Sequence, residues 1–400
     1  MPRRVIGIVT TTRAEYGVLR SLIRETAADP GLELRLLVTG THLSHEHGYT
    51  VRDIEADGFP IWRRVPIQVA GGDEQAALKT IGVALLSLAP IFAEERPDIL
   101  VVVGDRYEAI ACGLTALLLR LPLAHLHGGE ITAGSVDEAL RHALTKMATY
   151  HFTATAEYAA NVVQLGEDPA RVFTVGAPAL DGLQELKPLE RGELFAQLGL
   201  DRSRRTALVT FHPATVVEGA EIDAQVTELL AALESHDLQV VFTGANADAH
   251  GAEINERFRL AAREQPQRCR FLFSLGGELY LNCLRHLDLM VGNSSSGIIE
   301  APSFQLPVVN LGDRQEGRVR AANILQAACT RDAIAGAIAR ALTAEFRQIC
   351  RTAVNPYAPH GVGAIGRRIK ETLKSVSLDP AVIKKRFVRL GRDDAQVPAR

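Results

Sequence analysis

The chain has 400 residues, 47% of them hydrophobic but only 5% aromatic, and a formal charge of −3. That length exceeds one ordinary core, so two α/β domains are expected. The small, mixed charge gives no basis for a nucleic-acid or membrane partner, and a small-molecule ligand fits better.

Five cysteines, odd in number and without a Cys-x-x-Cys pair, read as reduced thiols of a cytoplasmic protein. The richest apolar span, 109–126, is interrupted by Arg120 and Pro122, so no transmembrane helix is expected. The basic start leads into a short apolar run, residues 5–9, too brief for a signal peptide.

Residues 5–9 predict a first strand, which breaks at Thr10 and gives way to helical periodicity over 18–28. A second strand is expected over 34–39 and a long helix over 76–95. The run 99–103 is the clearest buried strand, with Gly104-Asp105-Arg106-Tyr107-Glu108 at its end. Residues 123–126 lead into His127-Gly128-Gly129-Glu130, and strands follow over 152–154 and 172–175. Strands alternating with helices imply parallel pairing and right-handed crossovers.

The charged, turn-rich stretch 181–205 reads as the domain junction, after which the rhythm restarts. Strands over 207–211, 240–243 and 270–273 end at His212-Pro213, at Gly244-Ala245-Asn246 and at Ser274. The run 287–291 stops at Gly292-Asn293-Ser294-Ser295-Ser296-Gly297 and enters a helical-looking 298–304; strand 308–311 then leads to Arg314. The expected organisation is a first domain over 1–180, a second over 181–354, a helix over 355–376 crossing back to the first, and a tail over 377–400. Within that tail 379–390 is expected as a basic amphipathic helix.

Arg13, Asp105, Glu130, His212, Asn246, Ser294, Ser295 and Arg314 all fall where strand ends point, and in open α/β sheets ligands bind at the carboxyl ends. Each alone has a plain explanation: Asp105 as a helix cap, His212 as a core histidine, Arg314 as a surface ion pair. Their joint placement favours a site. The small residues and N–H groups of 292–297 suit an anion such as phosphate. Carboxylates (Asp105, Glu130, Asp137, Glu138) gather in the first half and anion-friendly groups in the second, so acid/base work is expected opposite phosphate binding. A metal held by His125, His127 and Glu130 is the rival reading, weakened by the lack of a third histidine at a known spacing. Neither a P-loop nor a Gly-x-Gly-x-x-Gly turn occurs in the expected places.

Taken in order, Thr12-Arg13-Ala14-Glu15-Tyr16-Gly17, Gly104 to Glu108, His127 to Glu130, Asp137-Glu138 with Arg141-His142, His212-Pro213, Asn246-Ala247-Asp248, Gly292 to Gly297 with Glu300, and Asn310 to Gln315 resemble the hydrolysing UDP-N-acetylglucosamine 2-epimerases, which make precursors of sialic and related nonulosonic acids. The resemblance implies a GT-B-like pair of Rossmann-like doubly wound domains with an interdomain cleft. It also implies a homodimer or homotetramer and no cofactor or metal. It assigns the UDP-sugar to Arg13, Ala14 and Arg106 in the first domain and to His212, Asn246, Ser294, Ser295, Glu300 and Arg314 in the second. Asp105, Glu130 and Asp137 match its catalytic carboxylates, and His212 is a further catalytic candidate. The implied reaction removes UDP and the C2 proton to give a glycal, then adds water to release the 2-epimer as a free sugar.

Two features depart from the pattern: Ala214 stands where a bulkier valine is common, and the tail beyond about residue 375 is longer than the family core. The resemblance favours UDP-N-acetylglucosamine as substrate. A hydrolysing epimerase for a 2,4-diacetamido-2,4,6-trideoxy sugar nucleotide is the alternative. Further readings are a non-hydrolysing epimerase, a GT-B glycosyltransferase or a silent sugar-nucleotide-binding protein.

Overall fold

The computed structural model describes residues 3–71, 74–132, 136–213, 219–245 and 250–389. The chain divides into two compact units, one of residues 1–130, 136–184 and 357–400, the other of 131–135 and 185–356. The first unit is a seven-stranded sheet of β1 (Arg4–Thr10), β2 (Leu32–Thr39), β3 (Ile61–Val65), β4 (Ile99–Val103), β5 (Leu123–Leu126), β6 (Tyr150–Thr153) and β7 (Val172–Thr174). The strands run in the order 3-2-1-4-5-6-7, all parallel. The second unit repeats the plan with β8 (Thr206–Thr210), β9 (Gln239–Thr243), β10 (Cys269–Leu272), β11 (Leu289–Gly292), β12 (Val308–Leu311) and β13 (Ile324–Ala327), in the order 10-9-8-11-12-13.

This doubly wound order reverses between β1 and β4 in one sheet and between β8 and β11 in the other, and such a switch point opens a crevice beyond the carboxyl ends. The physical cause of the parallel plan is visible in β4, Ile-Leu-Val-Val-Val, buried at every position because helices cover both faces. Gly292 ends β11 at φ +141°, where a Cβ would lie 1.9 Å from the Thr210 carbonyl oxygen, so no side chain fits at the second switch point.

Helix Ile365–Ser375 closes the first unit. The buried Asp181 carboxylate accepts from Ile365 N at 2.9 Å, Gly366 N at 2.7 Å and Ser21 Oγ at 2.6 Å, which ties this helix to helix Arg13–Ala28.

Three expectations need correction. Among the described residues of the tail only Pro380–Ile383 is helical; instead of continuing as a helix the chain lies on its own unit, with Lys385 Nζ 2.6 Å from Glu167 Oε2 and Val388 N donating to Gly166 O at 3.0 Å. The segment after Gly292 is a five-residue helix, Ser295–Ile299, followed by a 3₁₀ turn over Ala301–Phe304 with Pro302 as its second residue. Helix Glu74–Glu94, not the span 109–126, is long and apolar enough by composition to cross a membrane. Yet Ala76, Thr80, Ala84, Leu88 and Phe92 pack one stripe of it into the unit.

Candidate active site

In the first unit the strand ends beside the switch point carry the predicted residues. β1 runs into helix Arg13–Ala28, whose N-cap Thr12 accepts from Glu15 N at 3.3 Å. Arg13 and Ala14 therefore occupy its first turn; the Arg13 side chain is 71% exposed, 3.8 Å from Asp53. The buried Glu15 carboxylate turns back to accept from Thr11 N at 2.8 Å and Thr11 Oγ1 at 2.6 Å. Burial pushes Glu15 up to about 7, against the lowering effect of those bonds and of Arg106, and its Oε1 has no hydrogen-bond partner among the described residues. Arg106, following β4, grips the buried Glu108 with two bonds, at 3.0 and 2.9 Å.

Arg141 gathers the carboxylate-bearing loops. Buried on helix Val136–Met147, it donates from one nitrogen to Asp105 Oδ2 and from another to the Glu130 carbonyl at 2.8 Å. Asp137 stands one helical turn before it, on the same face. Glu130 is 3% exposed and its Oε1 lies 2.6 Å from His127 Nδ1, a pair between which a proton can pass. The His127 Nε2 has no hydrogen-bond partner among the described residues. Gly129 between them sits at φ +78°, with space for a Cβ closed by the Tyr158 carbonyl 2.2 Å away.

One guanidinium thus holds the Asp105 carboxylate and the Glu130 backbone, with Asp137 one turn away on its own helix. His125, by contrast, spends both nitrogens within the fold, on Thr145 Oγ1 at 3.2 Å and Gly104 O at 2.7 Å, and burial lowers its pKa to about 3. Among the described residues no group of three or more histidine, cysteine or carboxylate side chains forms a metal cluster.

In the second unit Asn293 is the hub. Its Oδ1 accepts from His212 N at 2.7 Å and its Nδ2 donates to His212 O at 2.8 Å, joining the ends of β8 and β11. Its carbonyl accepts from Arg314 Nη1 at 3.1 Å and Gln315 Nε2 at 2.9 Å, which draws in the loop after β12. Ser294 caps the short helix by accepting from Ser296 N at 3.4 Å, and Ser295 is its first residue. Glu300 ends that helix; burial raises its pKa, opposed by a bond with Ser296, whose Oγ also accepts from Tyr280 Oη at 2.8 Å. His212, Ser294, Ser295 and Arg314 therefore surround one buried amide, with Glu300 one turn further on. Asn246 and Ala214 lie outside the described residues.

Sequence reasoning overlooked Arg141 and Asn293 as organising residues. The signal for Arg141 was its place in the Asp137-Glu138-x-x-Arg141 motif, and for Asn293 its place directly after the glycine that ends β11.

A family model described as UDP-N-acetylglucosamine 2-epimerase matches residues 24–374. The chain is 35% identical over 391 residues to the GDP/UDP-N,N'-diacetylbacillosamine 2-epimerase (hydrolyzing) of Campylobacter jejuni, covering 98% of this chain and 100% of that one. It is 34% identical over 385 residues to the UDP-N,N'-diacetylbacillosamine 2-epimerase (hydrolyzing) of Legionella pneumophila, covering 96% and 99%. With the polysialic acid biosynthesis protein P7 of Escherichia coli it shares 35% over 377 residues, covering 93% and 95%. The crystal structure of UDP-GlcNAc 2-epimerase from Neisseria meningitidis, bound to UDP-GlcNAc, matches with a TM-score of 0.77 at 16% identity, over 92% of this chain and 99% of that one, and establishes the GT-B-like fold. Matched over most of its length, the chain belongs to the UDP-N-acetylglucosamine 2-epimerase family, as an enzyme of its hydrolysing, sugar-nucleotide 2-epimerase branch.

Proposed function

We propose that the enzyme acts on a UDP-linked 2,4-diacetamido-2,4,6-trideoxy sugar, releasing UDP and the free 2-epimer. The observation that carries this reading is the match, across nearly the whole chain, to two relatives named for diacetylbacillosamine. It reverses the order expected from the sequence, where UDP-N-acetylglucosamine came first. That sugar nucleotide stays as the second reading, favoured by the equal identity to the polysialic acid protein.

The chemistry divides between the units. In the first step a carboxylate takes the C2 proton, the C–H electron pair forms the C1–C2 double bond, and the C1–O pair leaves with UDP. In the second, water adds its oxygen to C1 and a proton reaches C2 on the opposite face. Glu130 with His127 suits one of these proton transfers, and Asp105 or Asp137 the other, because Arg141 ties the Asp105 and Glu130 loops to the helix that carries Asp137. The groups around Asn293 suit the nucleotide: Arg314 for the departing diphosphate, the N–H groups and hydroxyls of Ser294 and Ser295 for its oxygens, and Glu300 for ribose hydroxyls.

The test is a side-by-side turnover of the two UDP-sugars in D2O with NMR of the products. Faster release of the diacetamido 2-epimer carrying deuterium at C2 supports the proposal. Faster turnover of UDP-N-acetylglucosamine selects the second reading, and product without deuterium at C2 refutes the proton-transfer mechanism for either.

A further inference from the structure

We propose that the tail over 377–389 is a strap that positions the proton-transfer residues, with Lys385 as its positioning residue, acting through helix Val136–Met147. The inference rests on the reading above of Asp105, Glu130 and Asp137. The family model ends at residue 374, and the last buried apolar side chain of the core among the described residues is Leu373. What lies beyond is held by polar contacts. Tyr150 Oη donates to Ser377 O at 2.5 Å, Arg171 Nη1 to Val382 O at 2.6 Å and Val388 N to Gly166 O at 3.0 Å. The Phe387 ring packs against Gly166 and has the Lys146 ammonium 5.4 Å from its centre, yet it is 69% exposed. A segment that buries so little apolar surface adds little hydrophobic stability, so its fixed course points to another use.

Lys385 shows what that use is. The three hydrogens of its ammonium meet three acceptors: Lys146 O at 2.7 Å, Ala148 O at 2.6 Å and Glu167 Oε2 at 2.6 Å. The first two are carbonyls at the carboxyl end of helix Val136–Met147, where orphan carbonyls need donors and a cation is favoured. The strap therefore caps this helix from 237 positions away. The opposite end of the same helix carries Asp137 and, one turn on, Arg141, which binds Asp105 Oδ2 and Glu130 O. Twelve residues form a stiff rod of roughly 18 Å, so a shift at the capped end reaches the carboxylates. A second link runs through the sheet. Glu167 also bonds His151 Nε2 at 3.1 Å, and His151 on β6 stands in register with His125 on β5, whose Nε2 lies 2.7 Å from Gly104 O, one residue before Asp105. Both links end at the same group of residues.

The test is steady-state turnover of the full-length enzyme in D2O, with whichever UDP-sugar it converts faster, beside isothermal titration with UDP. In Lys385→Met, kcat should fall by roughly 10–10²-fold, as when a reacting group is misplaced by about an ångström, while KM and UDP affinity stay within about twofold. Lys385→Arg, which keeps the cation, should lie between the two. A lysine that served stability alone would lower the melting temperature and leave the kcat of the folded enzyme unchanged. Wild-type kcat in folded Lys385→Met, or a fall matched by an equal loss of UDP affinity, overturns the proposal. If Lys385→Met does not fold, Phe387→Ala loosens the strap without touching a buried charge: a kcat lowered by at least about threefold at unaltered UDP affinity supports the proposal, and wild-type kcat overturns it. Wild-type product without deuterium at C2 overturns the underlying proton-transfer reading, and the strap's role with it, whatever the kcat of the variants.

Discussion

Asn293 holds the backbone of His212 from both sides, accepting from its N–H at 2.7 Å and donating to its carbonyl at 2.8 Å. The amide thereby staples the loop after β8 to the end of β11, while its own carbonyl keeps Arg314 and Gln315. Asn293→Ala should release the His212 loop and leave the Arg314 acceptor in place. The expected loss in UDP affinity is about 1–3 kcal/mol, the cost of leaving buried backbone groups unpaired, and isothermal titration with UDP measures it.

Arg314→Ala removes the cation itself. UDP binding should weaken by about 1.5–3 kcal/mol, the range for a charge-assisted hydrogen bond, with the melting temperature of the free enzyme nearly unchanged. Unaltered UDP affinity by titration would take Arg314 out of the nucleotide site.

Glu130→Gln keeps the shape of the buried side chain and removes its capacity to move a proton. Turnover should fall by on the order of 10²–10⁴-fold, as for a lost general acid or base. UDP affinity should hold, because Glu130 lies in the first unit and the Asn293 cluster in the second. A normal rate would pass the role to Asp105 or Asp137, tested in the same assay.

Glu15 makes stability depend on pH. Burial raises its folded pKa from the ordinary 4.5 to about 7, so its contribution is fully present below pH 4.5 and is lost as pH rises through about 7. Glu15→Gln should flatten that slope, narrowing the drop in urea midpoint between pH 5 and pH 8 by an amount equivalent to up to about 3 kcal/mol. Equal slopes in the two proteins would contradict the assignment.

Glu167 behaves in the opposite sense. Burial raises its pKa, but His151, Lys146 and Lys385 outweigh that and hold it down to about 2. Its contribution is present above pH 4.5 and lost as pH falls through about 2. Lys385→Ala should cost about 1–3 kcal/mol at pH 7. The gap from wild type in chemical denaturation should close as the pH approaches 2.

How much of this was legible beforehand follows from where each residue lies. β4 stood out as an unbroken apolar run, and β5 and β12 as apolar runs interrupted only by His125 and Asn310, because central parallel strands are buried on both faces. β3 and β13, each at one edge of its sheet, escaped notice because their patterns are weak: Ile-Trp-Arg-Arg-Val turns two arginines to solvent, and Ile-Leu-Gln-Ala is short and half-buried. Strand ends mark where site residues must lie, so Asp105, His212 and Arg314 could be found one at a time. What joins them could not. Arg141 reaches Asp105 across 36 positions and Asn293 reaches His212 across 81, and no local period encodes such pairings. The docked tail was hidden for the same reason: its basic residues looked like a solvated face, whereas Lys385 is spent on the buried Glu167, 218 positions away.

The chain's return to its first unit sets an order on its synthesis. On the ribosome residues 1–184 emerge first, but Asp181 then lacks the two N–H groups that Ile365 and Gly366 later supply, and the flank of helix Arg13–Ala28 stands uncovered. Residues 185–356 form a contiguous block that needs nothing from the final segment to complete its sheet. The second unit can therefore mature while the first, which bears Asp105, Glu130 and Asp137, is still waiting for its last helix. With residue 356 clear of the ribosome and residue 365 not yet emerged, the second unit would have its whole sheet while the first still lacked its last helix, and a protease added at that stage should cut the older, N-terminal part first.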